Sequence, residues 1–75
     1  KELSEMLIVD KILNSTDDVE RKIIDCLLND NTYEQIAEHC FLTVSGVKYR
    51  INKIVSYSGA ANKNQIINLF KKYIK

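Results

Sequence analysis

The sequence predicts an all-α domain, a small helical bundle of four core helices with an extra helix at the N-terminal end. Three observations carry that prediction. Proline is absent and the only glycines are Gly46 and Gly59, so little in the 75 residues interrupts helix. Asp17-Asp18-Val19-Glu20, Thr32-Tyr33-Glu34-Gln35 and Asn62-Lys63-Asn64-Gln65 each set a capping oxygen three residues before Glu or Gln. In that spacing the first side chain accepts from an orphan helix N–H and the fourth reaches back, so each marks a helix start. Apolar residues between these signals recur three and four apart, the period of one helix face.

Residues 2–13 are expected to form the extra helix, carrying Leu3, Met6, Leu7, Ile8, Val9, Ile12 and Leu13. It is more apolar than a free surface helix, so it packs on something: this domain, a second copy or an upstream domain. On this reading residues 1–14 are an N-terminal or linker helix and residues 15–75 the domain proper. The first core helix runs over about 18–29, with Ile23, Ile24, Leu27 and Leu28 as its apolar stripe, and Asn29-Asp30-Asn31 breaks it. The second, 33–40, buries Ile36, Ala37 and Cys40. Phe41-Leu42-Thr43 makes a tight turn in which Leu42 plugs the core and Thr43 caps the next helix. That helix, 44–56, turns Val47, Ile51, Ile54 and Val55 inward, and Ser58-Gly59-Ala60-Ala61 ends it. The last, 63–74, carries Ile66, Ile67, Leu69, Phe70 and Ile74.

Composition narrows the function. A chain this short buries only about 60% of the surface it exposes unfolded, which suits a docking surface better than an enclosed catalytic cleft. Cys26 and Cys40 sit among apolar neighbours and read as reduced, mostly buried thiols rather than a disulfide framework. Leu7-Ile8-Val9 is too short to be a signal-peptide core, and no stretch approaches the roughly 20 apolar residues of a membrane span, so a cytoplasmic location is expected. His39 has one adjacent cysteine and no further ligands, which argues against a metal site. With one histidine no nucleophile, base and orienting group can be assembled, so the reading is a non-enzyme that needs no cofactor.

Charge is the strongest compositional signal. Residues 1–40 hold all ten acidic side chains against four basic ones, a net of −6. Residues 41–75 hold seven basic side chains and no acid, a net of +7. That polarity points one end of the molecule at a polyanion.

Two short helices joined by a three- to four-residue turn make a helix-turn-helix. The second helix, 44–56, must then lie in the major groove of duplex DNA with side chains that reach base edges. With Val47, Ile51 and Ile54 inward, the opposite face carries Ser45, Tyr49, Asn52 and Ser56, flanked by Lys48 and Lys53. Asn reads adenine, Lys bonds guanine or phosphate, and Tyr meets a thymine methyl or a phosphate.

From Glu20 to Leu69 the chain resembles the LuxR-type helix-turn-helix family of stand-alone regulators and response-regulator output domains. Glu20 falls on the Glu of the family's opening Leu-Thr-x-x-Glu, with Asp17 in the capping Thr position. Glu34-Gln35-Ile36-Ala37 matches x-x-Ile-Ala, and Leu42-Thr43 with Val47-Lys48 matches Ile-Ser-x-x-Thr-Val-Lys. Asn62-Lys63 with Gln65 resembles a late Asn-Arg-x-Glu element. Asp30 stands where the family has glycine, Gly46 where it has Thr, and Arg50 where it has His.

The resemblance implies a bacterial transcription regulator that binds double-stranded DNA sequence-specifically. It places Lys48, Tyr49 and Asn52 toward bases and Arg50 and Lys53 nearer the backbone, with Thr43, Ser45 and Lys63 completing the DNA-binding set. It further implies pairing of two domains on a twofold site through the last helix, where Ile67, Phe70, Tyr73 and Ile74 offer surface. Lys71, Lys72 and Lys75 of that helix are expected along phosphates. An upstream receiver or sensor of a two-component system, and RNA polymerase, are the implied partners. Two alternatives stand beside this reading. Tyr33–Glu38 with Ser45–Arg50 also resembles the fourth region of a bacterial sigma factor. A helical protein-interaction module, its basic half docking an acidic protein, is the alternative from a different class.

Overall fold

The computed structural model describes residues 2–74, with side chains from Ser4 to Ile74. Lys75, and the side chain of Leu3, lie outside the described residues. Five α-helices follow one another: α1 Glu2–Ser15, α2 Asp18–Leu28, α3 Tyr33–Cys40, α4 Val44–Ser58 and α5 Lys63–Tyr73. No strand occurs among the described residues. The expected all-helical bundle is therefore observed, with α4 two residues longer at its C-terminal end than the sequence suggested.

Capping chemistry sets the helix starts. At α2, Asp17 Oδ1 accepts from the Glu20 N–H at 2.8 Å while Glu20 Oε1 accepts from the Asp17 N–H at 3.3 Å. Thr32 and Gln35 close the same reciprocal pair at α3, at 3.2 and 2.9 Å. At α5, Asn62 accepts from the Gln65 N–H, but Gln65 Oε1 takes the N–H of Ala61, one residue upstream of the cap, at 2.7 Å. Ser58, 2% exposed, has its hydroxyl bonded to the Val55 carbonyl and the Ala60 N–H, and Gly59 then ends α4 at a positive φ of 84°.

The core has two lobes that share α2 and α4. Ile23, Cys26 and Leu27 of α2 meet Ile36 and Ala37 of α3 and Val47 and Ile51 of α4. Ile24 and Leu28 meet Ile54 of α4, Ile66, Leu69 and Phe70 of α5, and Val9 and Ile12 of α1. Val55 and Ile67 bridge the lobes. Hence α4 is gripped by α3 along its first half and by α1 and α5 along its second. The extra helix packs on this domain itself: Ile12 is fully buried and Val9 4% exposed. Leu42 packs against the first lobe from the turn, and the Cys26 and Cys40 thiols are both free.

Candidate nucleic-acid interface

Helix α4 presents its site because its apolar residues leave no choice of which face turns outward. At 3.6 residues per turn, Val47, Ile51 and Ile54 define the core direction, and Tyr49 points about 170° away from it. Tyr49 is 68% exposed, and Ser45, Asn52 and Ser56 are exposed beside it. Lys48 lies about 90° to one side of the core direction, while Arg50 and Lys53 lie on the other side. Thr43 is exposed, but its hydroxyl is engaged in accepting the Gly46 N–H at 3.0 Å. Gly46 suits this tight start, since a Cβ there would stand 3.2 Å from the Thr43 hydroxyl oxygen.

The two flanks differ in their electrostatics. On one, Glu20 of α2 turns a carboxylate, 3% exposed, toward α4. Lys53 Nζ stands 2.7 Å from Glu20 Oε2, and Arg50 Nη1 stands 3.7 Å from the same oxygen and 3.6 Å from Asp17 Oδ2. At that distance the Lys53–Glu20 contact is a close ion pair. The Glu20 carboxylate holds the Lys53 ammonium above its ordinary pKa, against the opposing effect of desolvation. Arg50 and Lys53, expected near the DNA backbone, are thus engaged by carboxylates of the same chain while staying partly exposed. Tyr57 packs nearby, and burial, then Glu20, pushes its hydroxyl up.

On the other flank Lys48 meets aromatic rather than acidic neighbours. Its Nζ lies 5.5 Å from the centroid of the Tyr33 ring, at the start of α3. Lys63, at the start of α5, reaches the same ring at 4.6 Å and donates to the Tyr33 hydroxyl at 3.1 Å. Neither lysine makes an ion pair among the described residues. The sequence marks Glu20 and Tyr33 through capping boxes and family likeness, and not as neighbours of the α4 cations. Their partners lie 15 to 33 positions away in the chain, on other helices, and no local spacing announces them.

The residues expected to pair two domains are distributed differently. Phe70 is 3% exposed, buried in the lobe that α1 covers, and Ile67 is half-buried between the lobes. Tyr73 is half-buried and donates to Glu5 of α1 at 2.8 Å, beside Lys72 at 3.2 Å from the same carboxylate oxygen. Ile74 alone of the four is exposed, at 53%. Docked α1 therefore occupies much of the α5 surface that pairing was expected to use.

Residues 1–57, from α1 to the last turn of α4, match a family described as vWA-MoxR associated protein N-terminal HTH. The chain belongs to this helix-turn-helix family. The matched span takes in α1 together with the α3–turn–α4 unit and leaves α5 outside it. No curated protein and no solved structure matches the chain. No helix among the described residues is long and apolar enough to cross a membrane, and no group of three potential metal ligands occurs among them.

Proposed function

We propose that this helix-turn-helix domain binds double-stranded DNA sequence-specifically, with α4 in the major groove and Tyr49, Asn52, Ser45 and Lys48 toward the bases. One observation carries the reading: α4 exposes a polar face with no acid on it, in the half of the chain that holds seven basic side chains and none acidic. Such a face meets phosphate-lined walls without repulsion and carries the donors and acceptors that base edges require. The likeness to LuxR-type domains supports the same placement and extends it to a bacterial transcription regulator that pairs on a twofold site. With Phe70 beneath α1, Ile74, just after α5, is the exposed apolar side chain of that set left to such pairing.

Selection of bound sequences from a random duplex pool tests this. A DNA reader enriches a defined motif, and Tyr49→Ala/Asn52→Ala removes the enrichment while general duplex binding persists. An unenriched pool rejects sequence reading.

A second reading, a protein-docking module, has an observation of its own. Phe41 is 93% exposed, in a left-handed backbone conformation (φ 57°) that L side chains rarely adopt. The family's description as the N-terminal HTH of a vWA-MoxR associated protein suits such a role. Loss of partner capture with Phe41→Ser, at unchanged DNA binding, favours it.

A further inference from the structure

We propose that Tyr33, Lys48 and Lys63 form one phosphate-binding seat for the DNA backbone on the α3/α5 flank of α4, with Tyr33 as the positioning residue. The inference rests on the DNA-binding reading above and deepens it by assigning one wall of the groove to one cluster. Three helices contribute: the ring comes from the first turn of α3, one ammonium from α4 and the other from the first turn of α5. The ring is half-buried against the first lobe of the core, so it is a fixed platform rather than a swinging side chain. The stem of Lys63 is held as well, lining a small crevice with Leu27, Ile51 and Ile66, with its head bonded to the Tyr33 hydroxyl.

Two ammonium groups on one ring repel each other, and no carboxylate pairs with either among the described residues. An anion placed between them relieves that repulsion. The ring face and hydroxyl also pre-order both lysines, reducing the rotamer freedom that phosphate binding would otherwise remove. On the opposite flank Glu20 and Asp17 already engage Arg50 and Lys53. The two flanks are therefore unequal, and the Tyr33 flank is where unneutralised charge meets the backbone.

The test is an equilibrium titration with a duplex selected by the wild-type domain, over a range of salt concentrations, for Lys63→Ala, Lys48→Ala, Tyr33→Phe and Tyr33→Leu. Lys11→Ala, in the acidic half, serves as control. Each lysine variant is expected to lower the magnitude of the log K against log salt slope by about 0.9. Tyr33→Leu should weaken binding severalfold and Tyr33→Phe less, because it keeps the ring and loses only the hydroxyl. Duplexes carrying single neutral methylphosphonates then locate the contact. One modified position, or two adjacent ones, should abolish the difference between wild type and all of these variants. Circular dichroism of Tyr33→Leu checks its fold, and Lys63→Ala and Tyr33→Phe carry the test if that variant is unfolded.

Wild-type binding with unchanged slopes in the lysine variants, or with Lys48 and Lys63 mapping to distant phosphates, overturns the seat and leaves the DNA-binding reading standing. A wild type that binds no duplex overturns both.

Discussion

Replacing Glu20 by Gln keeps the side chain's shape and removes its charge, which separates the two roles the carboxylate plays. Its Oε1 closes the α2 cap, and Gln retains that acceptor, whereas the pull of Oε2 on Lys53 and Arg50 disappears. A fully buried pair broken on one side costs roughly 3–5 kcal/mol. Here both cations are partly exposed and rehydrate, so Glu20→Gln should cost only about 1–2 kcal/mol, read from thermal unfolding. The same substitution frees two cations on the groove-facing helix. Non-specific duplex affinity is expected to rise, and the salt slope to steepen by about 1–2 as each released cation engages a phosphate. An unchanged slope would mean that Arg50 and Lys53 already leave Glu20 when DNA arrives.

At the scale of elements, the turns hold strain and the helix contacts hold a pH window. Asp30 follows α2 at φ 62°, with its N–H bonded to the Leu27 carbonyl and that of Asn31 to Cys26. Phe41 closes α3 in the same way, at φ 57°, with Leu42 bonded back to Ala37 and Phe41 to Glu38. Both are the paired bonds of a Schellman ending, which glycine usually occupies because a Cβ is disfavoured there. Asp30→Gly and Phe41→Gly should therefore each stabilise the domain by up to about 1 kcal/mol, a rise in Tm of about 4–8 °C. Phe41→Gly loses little burial, since the ring is exposed.

The clasp between α1 and α5 depends on protonation. Glu5 is held below its ordinary pKa of 4.5 by the Tyr73 hydroxyl and then by Lys72. Its contribution is present above pH 4.5 and is lost as pH falls through the lowered value. The Tyr73 hydroxyl and the Lys72 ammonium are raised by Glu5 above 10.0 and 10.5, so their contributions are present below those values and lost as pH rises past them. Hydrogen exchange in α1 should accordingly be slowest between about pH 5 and 10 after correction for intrinsic rates, and Tyr73→Phe should narrow the difference.

Helix starts were legible because capping is local: Asp17, Thr32 and Asn62 announce them within four residues. The positive φ at Asp30 and Phe41 was less legible, since neither residue is the glycine such a position asks for. The glycine that the LuxR-type resemblance expects in place of Asp30 was the one hint.

Across the whole molecule, legibility ends where contacts become distant in sequence. The exposed face of α4 follows from periodicity alone, but the engagement of Lys53 by Glu20 and the sharing of Tyr33 by Lys48 and Lys63 depend on how four helices dock. The place of α1 shows the same limit. Its apolar content said that it packs on something, and only the assembled core shows that Val9 and Ile12 lie against Ile24, Leu28, Ile54 and Phe70. A domain of this size has a stability of only about 5–15 kcal/mol, and removing one buried Ile side chain costs about 2–5. Ile12→Ala should thus lower stability by that amount, and deletion of residues 1–15, which uncovers one whole lobe, should exceed what the remainder can bear. Thermal melts followed by circular dichroism decide this: the shortened chain should lose the cooperative transition of the full one and bind apolar dyes. A cooperative melt near the full-length Tm would instead make α1 an accessory, and would return Phe70 and its neighbours on α5 to the surface as a face for a second copy.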